Sequence, residues 1–246
     1  MNPLILSIET ATLGGAVCIS EGDSVRAMLA GDPALSHSNT LLSDINQCFQ
    51  DANATIQDVQ LFAATSGPGS FTGLRIGLAT IKALAATLNR PCVGVPTLQA
   101  IAHTAQVSEA TVALLPAGRG EVFVQLLSVT RGVTELDEAR HLPPAIAIER
   151  YGSFPTLKWV GPGAVIHRDL IESNARERGF AFSVAGVNDS ETSGDGWLLV
   201  SDAVNLAQHV AAIAWQRFQA SELEQAESLT AIYVRPSDAE LKCNPV

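Results

Sequence analysis

The stretch VQLFAATSGPGSFTGLRIGLATIKALAATLNRPCVGV, residues 59–95, says more about the fold than any other part of the chain. An apolar run at 59–65 reads as a strand, a glycine-rich turn follows, apolar residues at helical spacing continue from about 70 to 88, and a second strand returns at 92–95. The turn, Gly67-Pro68-Gly69-Ser70-Phe71-Thr72-Gly73-Leu74-Arg75-Ile76-Gly77, admits two readings. Glycines ahead of a helix let backbone N–H groups approach an anion, and the helix dipole favours negative charge there, so a nucleotide phosphate could rest against Gly67 and Gly69. Against this, Pro68 has no N–H, no G-K-[ST] follows, and Ser70 or Thr72 capping a strand-to-helix turn accounts for the same residues.

Upstream, residues 4–9, 14–20 and 24–30 read as three short strands of an antiparallel meander. Ser36 or Ser38 then caps a helix through about Phe49, with Leu41, Leu42, Ile45 and Phe49 at helical spacing. With a helix near 97–106 the order is β-β-β-α-β-α-β-α. A similar order restarts at residue 111: strands at 111–115, 121–129 and 133–136, a helix at about 145–150, a strand at 157–160 and a helix after Gly163. Residues 185–196 read as a loop, and an apolar helix is expected from about Trp197 to Phe218. Two such units in succession resemble the ribonuclease-H-like duplication of actin, Hsp70 and sugar kinases. The expected fold is α/β, two-lobed and actin-like, with a first lobe at 1–106 and a smaller one at 107–218. A segment from about 219 to 246 is free to return to the first lobe.

Composition narrows the function. The 246 residues are 47% hydrophobic and 16% charged, enough to bury a core without staples. Cys18, Cys48, Cys92 and Cys243 are far apart in sequence, form no C-x-x-C pair and read as reduced thiols of a cytoplasmic protein. No leader-like start and no run approaching ~20 apolar residues argues for export or a membrane span. A net charge of −10 disfavours direct gripping of tRNA or DNA, which needs clustered Lys and Arg.

GPGSFTGLRIGLATIKALA (67–85) followed by PCVGVPTLQAIA (91–102) closely resembles the TsaB family, also called YeaZ, a subunit of the bacterial machinery that makes threonylcarbamoyladenosine in tRNA. Glu9-Thr10, LSHSNTLL (35–42), RGEVF (119–123) and YVRPSDAE (233–240) extend the resemblance over nearly the whole chain. It implies an actin-like duplication and an accessory role. TsaB resembles a catalytically degenerate relative of TsaD, which transfers a threonylcarbamoyl group to N6 of the adenosine adjacent to the anticodon. The implied partners are a TsaD-like protein, a TsaE-like ATPase and, for the chain alone, a second copy; tRNA would be engaged indirectly.

Three departures bear on chemistry. TsaD-type proteins bind metal through an H-x-x-x-H pair, and the resemblance puts those positions at Thr97 and Ile101, so no catalytic or metal residue is expected. His103 is nearby, and His37, His141, His167 and His209 complete no pair at i, i+3 or i+4. The first phosphate hairpin carries Glu9-Thr10 where related kinases and ATPases have Asp to hold magnesium; glutamate is one methylene longer, which leaves that role open. Pro116-Ala117-Gly118 stands where many relatives read D-A-R. The cofactor-binding candidates are Glu9, Thr10, Gly67 and Gly69, with no tightly bound cofactor and with ATP or ADP confined to the partner complex. The helix at 70–88 is apolar nearly all round, charged only at Arg75 and Lys82, and a single sheet covers about half of it. Either neighbouring helices of the monomer cover the rest, or a partner does through a helical interface from 38–49 and 73–87. The candidate contacts are Leu41, Leu42, Ile45, Gly73, Ile76, Gly77, Thr80 and Ala83. The alternative is an independent ATP-dependent phosphotransferase or peptidase of the same fold, although no H-E-x-x-H or G-x-S-x-G occurs.

Overall fold

The computed structural model describes residues 2–32, 37–186, 196–201 and 205–235, with the side chains of the first helix from Thr40 onward. Ser36, most of the loop read at 185–196, residues 236–240 of the YVRPSDAE segment and Cys243 lie outside the described residues. The chain forms two compact units. The first runs to Ala100 and includes Asn205–Tyr233; the second begins at Ile101.

In the first unit, β1 (Leu4–Glu9), β2 (Ala16–Glu21) and β3 (Ser24–Ala30) make the expected antiparallel meander. After α1 (His37–Ala52), β4 (Leu61–Gly67) lies parallel to β1. Then α2 (Phe71–Leu88) leads into β5 (Cys92–Pro96), parallel to β4, and α3 (Thr97–His103) follows. The sheet order is β3-β2-β1-β4-β5. Period-two alternation sorts the side chains of β1: Leu6 and Ile8 enter the core under α1 and α2, whereas Ser7 faces the opposite side. Ser70 caps α2 as its sequence position predicts, its hydroxyl accepting from the Gly73 N–H at 3.2 Å, and Asn89 ends the helix in the left-handed conformation at φ 50°.

The second unit repeats the plan. β6 (Ser108–Gly118), β7 (Glu121–Val129) and β8 (Val133–Glu135) form a meander, with a short β9 (Arg140–Leu142) also on β7. After α4 (Pro144–Arg150) comes β10 (Leu157–Val160), parallel to β6. Next come α5 (Pro162–Ile166), α6 (Arg168–Glu177), β11 (Phe182–Ala185) and β12 (Trp197–Val200). The order β8-β7-β6-β10-β12, with β11 added outside, reproduces the first sheet strand for strand. The core of this unit centres on Trp159 and Trp197, fully buried with ring centroids 5.0 Å apart.

Two expectations are corrected here. Residues 197–200 are a strand, not the start of a helix: all four are buried, so the run lacks the alternation that marks a half-exposed strand and merges by eye with the apolar helix beyond it. That helix, α7 (Leu206–Gln219), belongs to the first unit and not to the second. It covers the sheet face opposite α1 and α2, with Ala207 and Ala211 against Ala16 and Cys18, and the Ser7 hydroxyl donating to the Ala207 carbonyl at 2.8 Å. The return to the first unit therefore begins at Asn205, earlier than the expected 219.

Cys18, Cys48 and Cys92 are free and buried. Burial pushes the Cys18 thiol up to about 12 and the Cys48 and Cys92 thiols up to about 11. Since the thiolate is the nucleophile, iodoacetamide at pH 8 is expected to leave all three unmodified in the folded protein and to label them on unfolding, as read by peptide mass mapping.

Candidate functional site

The glycine-rich turn is filled by the chain's own atoms. Ser70 N–H donates to the Ala11 carbonyl at 2.8 Å, which ties the start of α2 to the β1–β2 turn. A Cβ at Gly69 would lie 2.5 Å from the Ala11 oxygen, one at Gly73 would lie 1.9 Å from the Thr10 carbonyl oxygen, and one at Gly77 would lie 2.2 Å from the Thr10 hydroxyl. These three glycines permit one close contact, helix α2 against residues 10–11. Gly67 has a left-handed φ of 116°, and a Cβ there would meet the Ile232 carbonyl oxygen at 2.4 Å. Packing, with Ser70 as cap, thus accounts for every glycine of the motif up to Gly77.

Glu9 is 2% exposed. Its carboxylate accepts the N–H groups of Ala11 and Thr12 and, at 2.6 Å, the Thr12 hydroxyl, so it closes its own turn. Thr10 beside it is buried, its N–H reaching the Thr65 hydroxyl at 3.4 Å. All four cofactor candidates therefore have structural occupations.

The residues at the implied metal positions do not fit an ion. Thr97 and Ile101 are both buried, and Ile101 has no donor atom. Burial pushes the His103 imidazole down from its ordinary value. Among the described residues no three His, Cys, Asp or Glu side chains gather as ligands. In the second unit, Pro116-Ala117-Gly118 runs into a tight hairpin in which Gly118 pairs with Glu121. Arg119 and Gly120 at its tip are both left-handed, φ 53° and 78°, the conformation a two-residue turn of this hand requires.

The interface candidates divide by burial. Leu41 and Ile45, at 6% and 5% exposure, belong to the core of the first unit, and Gly73 and Gly77 face Thr10. On α1 it is Leu42, 71% exposed, that reaches solvent. On α2 the inner stripe is Leu74, Leu78, Ile81 and Ala85; the outward ridge is Arg75, Ala79 and Ala83, at i, i+4 and i+8, flanked by half-buried Ile76 and Thr80. By length and composition α2 is apolar enough to cross a membrane, yet its inner stripe packs on the sheet. α7 leaves the outward ridge uncovered because it lies on the other sheet face.

The segment after α7 straps the far edge of the sheet through residues that the sequence reading did not single out. Glu224 pairs with Cys92 as an antiparallel bridge, N–H to O 2.9 Å each way, and its side chain accepts the Gly94 N–H at 3.0 Å. Lys82 donates to the Leu229 carbonyl at 3.0 Å, Ala226 and Leu229 enter the core, and Ile232 N–H donates to Ser66 O at 2.7 Å. Arg217, in the last turn of α7, donates to Gly94 O at 2.7 Å and to Gln99 at 3.0 Å. The legible signal was the placement of Lys82 and Arg75, the only charges on an otherwise apolar helix.

Two sheets of order 3-2-1-4-5 define a duplicated actin-like, ribonuclease-H-like protein, and a solved structure has the same fold. YeaZ from Pseudomonas aeruginosa superposes with a TM-score of 0.71 at 20% identity, over 94% of this chain and 99% of that one. Residues 33–239 match the family model described as TsaD: tRNA N6-adenosine threonylcarbamoyltransferase. The tRNA threonylcarbamoyladenosine biosynthesis protein TsaB of Bacillus subtilis is 26% identical over 188 residues, 75% of this chain and 82% of that protein. The TsaB of Escherichia coli is 33% identical over 122 residues, 48% of this chain and 52% of that protein. The chain belongs to this family and, within it, to the TsaB, or YeaZ, group.

Proposed function

We propose that the chain takes part in tRNA threonylcarbamoyladenosine biosynthesis as a non-catalytic subunit that acts by contact with a TsaD-like protein, with a TsaE-like ATPase joining them. The names of its relatives support the pathway. The observation that carries the accessory role is the identity of the residues at the metal positions, Thr97 and Ile101, neither of which can stand in for an imidazole. The outward ridge of α2 supports the contact role: Ala79, Ala83 and Ala86 are exposed and small, and allow another helix to approach closely. In the absence of the partner the same ridge pairs two copies of the chain. Three buried, reduced cysteines suit a cytoplasmic protein.

The test is reconstitution of tRNA modification from purified TsaD-like and TsaE-like proteins. Adding this chain is expected to raise threonylcarbamoyladenosine, measured by mass spectrometry of digested tRNA, at least tenfold. Equal output without it would sink the proposal, and turnover of ATP or peptide by the chain alone would favour an independent enzyme.

A further inference from the structure

We infer that Tyr233, held by Phe71 and Arg75, is an anchor of the partner interface, so that the C-terminal strap forms part of the surface that a TsaD-like protein reads. This rests on the docking role proposed for α2. The Tyr233 and Phe71 rings pack tilted at 38° with centroids 5.2 Å apart, the Arg75 guanidinium lies 3.8 Å over the Phe71 ring, and its Nε donates to the Tyr233 hydroxyl at 3.4 Å. Arg75 begins the ridge that continues through Ala79 and Ala83, which puts this cluster at one end of the outward face of α2.

Anchoring the strap does not require this cluster. The Glu224 bridge, the Lys82 hydrogen bond, the burial of Leu229 and the Ile232 hydrogen bond to Ser66 already fix its path up to the residue before Tyr233. Tyr233 nevertheless stays 47% exposed, and Ile232 beside it 42%. A tyrosine and an arginine, each pre-ordered by a neighbouring ring, are the residue types that dominate binding energy at protein interfaces, because planar groups bury much area for little loss of side-chain freedom. The matching surface is an apolar pocket for the phenol ring with a carboxylate opposite Arg75.

The test is the affinity of the full chain for the TsaD-like protein of the same organism, by calorimetry, alongside thermal unfolding of each variant alone. Tyr233→Ala and Arg75→Ala are each expected to weaken binding at least tenfold with an unchanged melting temperature, and Tyr233→Phe to stay within about threefold of the parent. If Tyr233→Ala also lowers the melting temperature, Arg75→Ala decides, since that side chain is exposed. Parental affinity in Tyr233→Ala and Arg75→Ala, with binding lost in Ala83→Glu, would overturn the inference and leave the α2 interface standing. Parental affinity in Ala83→Glu would remove that interface and the inference together.

Discussion

Gly73→Ala is expected to destabilise the first unit by about 3 kcal/mol, against the direction that helix propensity dictates. In an exposed helix interior this change gains about 1 kcal/mol, because alanine is the better helix former. Here the added methyl would sit 1.9 Å from the carbonyl oxygen of Thr10, closer than real non-bonded carbon contacts come, and neither a Cβ nor a backbone carbonyl has a rotamer that would relieve it. Relief requires α2 to move off the β1–β2 turn, which breaks the 2.8 Å bond from Ser70 to Ala11 and loosens the packing of Leu74 and Leu78. Gly77→Ala meets a different obstacle, the Thr10 hydroxyl at 2.2 Å, with the Thr10 Cβ at 3.3 Å. A side chain can be removed where a carbonyl cannot. Thr10→Ala is therefore expected to restore most of the stability lost in Gly77→Ala and none of that lost in Gly73→Ala. Thermal unfolding of the single and double variants checks this; a loss of 3 kcal/mol corresponds to roughly 10 °C in a chain of this size. Equal rescue of both glycine variants would show that the carbonyl of Thr10 is not what requires Gly73.

That contrast also marks where sequence stopped being informative. The strand, turn and long helix of residues 59–95 were readable because β4 and α2 carry strong apolar patterns bounded by glycine and by Asn89. The glycines were readable as a close approach, though not as an approach to what; the neighbour is Thr10, some 60 residues upstream, and no local pattern names it. Periodicity put Leu41, Leu42 and Ile45 on one helix, but only the sheet decides which of them turn inward, and Leu42 is the one left outside. The second unit was legible as an order of elements as far as the helix after Gly163, apart from the three-residue β9; the four-residue β11 went unread, and burial of β12 on both faces erased its alternation. Helix α7 carries apolar residues that would suit either sheet, and its assignment to the first one rests on small residues, Ala207 and Ala211, meeting Ala16 and Cys18. The strap beyond it has almost no regular structure, since apart from one turn, Ser228 N–H to the Gln225 carbonyl, the hydrogen bonds that hold it go to β5, to Lys82 and to Ser66.

The outward ridge of α2 leads to the second large effect. Ala83→Glu is expected to abolish association with a TsaD-like protein while leaving the monomer as stable as its parent, within about 0.5 kcal/mol. Ala83 is exposed and glutamate is a good helix former, so the free chain has no reason to resist the change. Ile76 is a poorer site for the same experiment. It is half-buried and packs against the core that Leu78 and Ile81 share, so a charge there would confound lost binding with lost stability. At a helix contact built on alanine, a glutamate adds bulk where the partner backbone must come close and leaves a carboxylate without water or a cation. Burying an unpaired charge costs several kcal/mol, and 4 kcal/mol is already about a thousandfold in affinity. Leu42→Glu, on the exposed side of α1, separates a narrow contact from a broad one: if both helices dock, it weakens binding as well, and if α2 docks alone it does not. Size-exclusion chromatography of each variant with the partner, and sedimentation of each variant alone, give both readings from the same preparations. A complex of unchanged affinity in Ala83→Glu would mean that the uncovered ridge of α2 is simply solvent-facing, and that contact with the partner is made elsewhere on the chain.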